Sequence, residues 1–147
     1  MTHALSDQLA VIATIDPASI SPSTVTTDVI DLSRVRSVIF VVAAGTLGTS
    51  ATLDFAVKGD SASGGSFTTT VTGKTITQLT QAGSDDNKQV IVEVSAEEAG
   101  AQGFRYVRGA LTVGTAASQA CVVALAGGLR YSPASDFDLA TVDEIVN

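Results

Sequence analysis

The chain has 147 residues, 45% hydrophobic and only 16% charged, with 8 basic and 15 acidic side chains and a formal net charge of -7. One domain of this length buries enough surface to need no disulfide or metal. Its Lys and Arg residues are scattered, closest at Arg34/Arg36 and Arg105/Arg108, which argues against nucleic acid or an acidic membrane as partner.

Residues 1–24 read as an N-terminal arm or edge strand. Met1–Gln8 has neither a basic region nor a long apolar one, so no secretory signal is expected. Leu9–Ile15 is a candidate strand, and Pro17, Ser19, Pro22, Ser23 and Thr24 make an extended, turn-prone stretch after it. No apolar run approaches the roughly 18 residues of a membrane span. The expectation is a protein made, and staying soluble, in a cytoplasm.

Residues 25–131 read as the domain proper. Candidate strands are Val25–Asp31, Ser37–Ala43, Ala51–Lys58, Phe67–Thr72, Thr75–Leu79, Gln89–Val94, Phe104–Val113 and Ala120–Leu125. Leu53, Phe55 and Val57 alternate with Thr52, Asp54 and Ala56, as in a strand with one face on a core. Val38–Val42 and Val122–Leu125 are apolar at every position, which marks central strands or strands covered on both sides. Thr72-Gly-Lys-Thr75 suggests a tight reversal, and Ser95-Ala-Glu-Glu98 a capping box opening a single helical turn. Many short strands with regular turn signals predict an all-β, antiparallel β-sandwich of jelly-roll type.

Residues 132–147 read as a C-terminal tail. Phe137, Leu139, Val142, Ile145 and Val146 are spaced among acids as in a short amphipathic segment, which needs a surface to dock on. These five residues are candidate partner contacts. So are Arg105, Tyr106 and Arg108, since Tyr and Arg are enriched in interface hot spots.

The catalytic inventory is thin. His3 is the sole histidine, so a Ser–His–Asp or Cys–His arrangement would depend on it. Cys121 lies in an apolar run and reads as a buried structural thiol; being single, it excludes an intrachain disulfide. Asp54, Asp60 and Glu93 could supply a glycosidase pair, but the chain has no Trp to stack a sugar. Asp60 and Asp85-Asp86-Asn87 could ligate calcium, yet without EF-hand spacing they read as turn residues. No enzyme activity, metal or cofactor is expected.

Three stretches carry a resemblance: Ser37-Val-Ile-Phe-Val-Val-Ala-Ala-Gly-Thr-Leu47 with Ala51-Thr-Leu-Asp-Phe55, then Phe104-Arg-Tyr-Val-Arg-Gly-Ala-Leu-Thr-Val-Gly114, then Val122-Val-Ala-Leu-Ala-Gly-Gly-Leu-Arg-Tyr131. Over residues 25–135 the chain resembles small virion proteins of tailed phages, of the capsid decoration or cement type. The motifs are strand patterns, and the family has no active-site residues to carry over. The resemblance implies a β-sandwich on the outside of an icosahedral shell, partnered by the major capsid protein and by its own copies, often as a trimer. A tail or head–tail joining protein is the alternative in the same class. A carbohydrate-binding or adhesin domain is the alternative outside it.

Overall fold

The computed structural model describes residues 4–131 and 133–146. His3 therefore lies outside the described residues. Among those described, ten strands form two antiparallel sheets: β1 (Ala10–Ile20), β2 (Ser23–Thr26), β3 (Ile30–Asp31), β4 (Ser37–Ala44), β5 (Thr52–Asp60), β6 (Thr69–Thr75), β7 (Leu79–Thr80), β8 (Gln89–Ser95), β9 (Tyr106–Gly114) and β10 (Ser118–Gly127). Sheet A has the order β1-β10-β4-β8. Sheet B has the order β2-β9-β5-β6, with β3 also pairing β9 and β7 pairing β5. The first and last long strands are neighbours in sheet A, the second and second-last in sheet B. The chain thus folds back on itself as a ribbon wrapped across both sheets, which is the connectivity of a jelly roll.

Side-chain alternation decides which face each strand buries. In β4, Val38, Phe40, Val42 and Ala44 are buried; in β5, Leu53, Phe55, Val57 and Gly59 are. The two sheets meet where Phe40 and Phe55 pack tilted, ring centroids 5.5 Å apart. Val122, Leu111 and Val94 complete the same fully buried cluster.

Several elements differ from the sequence expectation. Thr72-Gly-Lys-Thr75 is not a reversal: β6 runs through it, and Gly73 takes a φ of +77° inside the strand. Between the pairs Ala56–Thr75 and Lys58–Thr70 the register shifts, and Gly73 takes its left-handed φ in that irregularity of the ladder. Val25–Asp31 is interrupted at Thr27–Val29, so that β2 and β3 both pair β9. β1 extends through Pro17 to Ile20 because a bulge between Ile15 and Ala18 takes the proline out of the ladder. β1 is thus an edge strand of sheet A, one of the two roles the sequence leaves open for residues 1–24, and β2 opens sheet B at Ser23. The acidic tail makes one 3-10 turn, Ala134–Phe137, and its described residues continue without regular structure.

The helical turn at Ser95 forms as its sequence dictates. Helix α1 (Ala96–Gly100) opens with Ser95 Oγ accepting from Glu98 N at 3.1 Å and Glu98 Oε2 accepting from Ser95 N at 3.0 Å.

Candidate interaction surface

Arg105 immediately precedes β9 and forks onto Asp31 of β3, Nε–Oδ1 3.1 Å and Nη2–Oδ2 2.9 Å. This fork holds the Asp31 carboxyl well below the usual carboxylate range and raises Arg105. The Arg105 guanidinium also sits 5.0 Å from the Tyr106 ring centre. Arg108 lies on the outer face of sheet B with its guanidinium 4.6 Å over the Phe67 ring. Its Nε is buried without a hydrogen-bond partner among the described residues. Arg105 and Arg108 are therefore held by the chain's own groups, and Tyr106 is half-buried between them.

The tail docks on its own domain. Asp138 Oδ1 accepts from Val11 N at 2.6 Å, and Leu139 N donates to Val11 O at 2.8 Å. Phe137 stacks on Tyr131 at 6.4 Å, with the Arg34 guanidinium 4.8 Å from its centre. Val142 and Ile145 line a groove with Leu5, Leu9 and Val11. Phe137, Leu139 and Val142 are half-buried, whereas Ile145 and Val146 remain 41% and 83% exposed.

The proposed oxygen ligands serve the backbone. Asp60 accepts from Ala62 N and Phe67 N and so closes its own loop, which lowers its pKa. Asp85 accepts from Thr80 N and Lys88 Nζ, and Asp86 from Leu47 N. Among the described residues, no three His, Cys, Asp or Glu side chains are grouped to hold a metal. Asp54 and Glu93 lie on the outer faces of opposite sheets and do not converge as an acid pair. Cys121 is not a core thiol. Alternation along β10 buries Ala120 and Val122 and turns Cys121 outward, into a groove of about 400 Å³ with Pro17, Ala18 and Ala43. No helix among the described residues is long and apolar enough to cross a membrane.

The largest unforeseen feature is the outer face of sheet A. Cross-strand register aligns Val11–Leu125–Ile39–Glu93 in one row and Thr14–Val123–Val41–Ile91 in the next. A third row holds Cys121–Ala43–Gln89. All lie opposite the buried positions of their strands, and Ile91 is 67% exposed. The outer face of sheet B has the contrary character. Its rows are Thr24–Thr112–Asp54, Thr26–Ala110–Ala56 and Arg108–Lys58–Thr70. Polar groups there pair with one another, as in Thr24 Oγ1 to Thr112 Oγ1 at 2.8 Å and Lys58 Nζ to Thr70 Oγ1 at 2.6 Å. The apolar surface of sheet A continues through Val11 into the groove under Val142 and Ile145.

No family model and no curated protein matches the chain. Among solved structures it is similar to the structure of infectious bursal disease virus Gx strain, with a TM-score of 0.44 and 16% identity. That similarity covers 88% of this chain and 36% of the other, so the chain spans about a third of the solved protein's length.

The signal for the sheet A face was present in the sequence, in the two runs apolar at every position. Within the described chain only one side of each run is covered by the opposing sheet.

Proposed function

We propose that this chain is a structural protein of a virus particle, of the capsid decoration or cement type, acting through protein–protein contact rather than catalysis. The observation that carries the reading is the contrast between the two outer faces. A sheet face that meets water ordinarily alternates to polar residues, as sheet B does. Sheet A instead presents contiguous Val, Ile and Leu, the kind of patch that marks an interaction site. Glu93 is the one charged side chain in its three rows, so little desolvation opposes docking. Jelly rolls occur in viral capsid domains and also in lectins, so the fold is compatible with this role without selecting it.

In this reading the major capsid protein and further copies of the chain are the partners. Ile145 and Val146, beside Val11, are secondary contact points at the rim of that face, and the Arg105–Tyr106 pair in sheet B is a separate contact point. The virion surface is the site of action.

The test is binding to purified shells that lack the protein. Wild-type chain is expected to bind near the copy number of the major capsid protein. Val41→Asp and Val123→Asp, both on the outer face of sheet A, should fold but lose binding. A handful of copies per particle would place the protein in the tail instead. Glycan binding without shell binding would favour the adhesin alternative.

A further inference from the structure

A β-sandwich of two open sheets has four edges, here formed by β1 and by β8 in sheet A, and by β2 with β3 and by β6 with β7 in sheet B. An uncovered edge is a template for another strand, and proteins commonly block it. Three of the edges carry such devices. β1 has Val11 capped by Asp138 and Leu139, Thr14 N bonded to Asp28 Oδ2 at 3.2 Å, and Pro17. β2 has only four residues. β6 is bent by Gly73, and its Thr72 N is capped by Gln102 Oε1 at 2.9 Å.

β8 differs. Ala44 N donates to Lys88 O and Ala96 N to Arg36 O, which fixes the hydrogen-bonding parity of the strand. Lys88, Val90, Val92, Val94 and Ala96 direct their backbone groups toward β4. Gln89, Ile91, Glu93 and Ser95 direct theirs outward. Ser95 N is taken by the capping box. The outward backbone groups of Gln89, Ile91 and Glu93 hydrogen-bond to no other strand among the described residues, although β6 of the opposite sheet packs beside β8. The same three residues carry their side chains on the outer face of sheet A, and all three are exposed.

We infer that β8 is an interface between two copies of this chain, paired antiparallel about a two-fold axis at Ile91. The register follows from the side chains. With the axis at Ile91, the two Ile91 residues oppose each other and exchange both backbone hydrogen bonds. Gln89 then opposes Glu93 of the second copy on either side, an amide donor against a carboxylate. An axis at Glu93 sets like charges opposite, and an axis at Val92 sets Ile91 against Glu93; both are disfavoured. The Ile91-centred register alone buries the most exposed aliphatic side chain of the sheet while giving Glu93 a polar partner. It also joins the row Thr14–Val123–Val41–Ile91 to its symmetry mate, making one apolar stripe across two copies. Such a contact is isologous and closes on itself, so it yields a dimer rather than a fibre. The inference rests on the edge geometry and stands independently of the virion reading.

Sedimentation equilibrium of the full chain tests it, with cross-linking to fix the register. Wild type should be dimeric at micromolar concentration. Ile91→Lys, which sets two ammonium groups at the axis, should be monomeric with an unchanged far-ultraviolet circular dichroism spectrum. In a Cys121→Ser background, Ile91→Cys should give a disulfide-linked dimer on mild oxidation. Gln89→Cys should not, because its two copies would stand roughly 14 Å apart along the strands, beyond the roughly 7 Å that a disulfide spans. A monomeric wild type overturns the proposal and leaves the edge for a different protein's strand. A dimer that survives Ile91→Lys places the contact elsewhere. Cross-linking through Gln89→Cys but not Ile91→Cys overturns the register.

Discussion

Gly109 of β9 lies directly against the ring of Phe55 on β5: a Cβ at Gly109 would stand 2.6 Å from Phe55 Cε2 and Cζ. Phe55 is fully buried and meets Phe40 from the opposite sheet, so its ring has nowhere to retreat. Gly109→Ala should therefore destabilise the domain by about 1–3 kcal/mol through overpacking. Chemical denaturation should show a lower midpoint with an unchanged slope. An unaltered midpoint would mean the ring moves freely.

The same glycine is tied to Thr27, whose Oγ1 accepts from Gly109 N at 2.9 Å while Thr27 N donates to Gly109 O at 2.9 Å. Thr27 is only 4% exposed, in the break between β2 and β3. Thr27→Val keeps the shape but removes the acceptor, leaving Gly109 N–H buried and unpaired. The expected cost is about 1–3 kcal/mol. Thr27→Ser, which keeps the hydroxyl, should lose less; equal losses in both variants would show that packing of the methyl dominates.

Asp31 and Arg105 set an acid-side dependence of stability. The folded carboxyl titrates lower than the unfolded one, about 3.9, because Arg105 and the Ser33 N–H favour its ionised form. The native state then gives up its proton more readily than the unfolded state. The contribution is fully present above the unfolded pKa and is lost as pH falls through the folded one. Asp60, Asp85 and Glu98 shift in the same direction. Stability should be flat near neutrality and fall below about pH 4. At pH 7 Asp31→Asn should cost about 0.2–1 kcal/mol, the range of exposed ion pairs, and it should shallow the acid fall. An Asp31→Asn profile parallel to wild type would exclude the fork as a cause.

The jelly roll was legible because its core strands alternate cleanly: β5 and β9 show their buried faces in the residue pattern alone. A left-handed Gly73 suits both a hairpin turn and an irregularity within a strand. Only the partner strand, β5, distinguishes them. The outward turn of Cys121 is hidden in the sequence for a related reason. An apolar run gives no clue to which face is inward when both faces are apolar, and neighbouring strands settle that parity. That ambiguity is also why the outer face of sheet A could be suspected from Val38–Val42 and Val122–Leu125 but not placed. The edge at β8 depends on strand order, which the sequence of β8 does not contain.

The tail's first role is to guard an edge of its own sheet. Asp138 and Leu139 take both backbone groups of Val11, where a bulge opens β1, and Val142 and Ile145 line one groove with Leu5 and Leu9. Beyond Ala134 no described tail residue belongs to the buried core. Removing residues 138–147 should therefore leave the strand spectrum intact while uncovering the β1 edge and the apolar groove beside it. Two consequences are measurable. Amide exchange at Val11 should quicken strongly, because its acceptor is gone, and the truncated chain should aggregate more readily, as open edges do. Asp138→Ala should reproduce the faster exchange at Val11 with less aggregation, since Val142 and Ile145 stay to cover the groove. Unchanged exchange at Val11 in both variants would show that the tail contributes nothing to the edge. Collapse of the strand spectrum on truncation would make it part of the fold's own core.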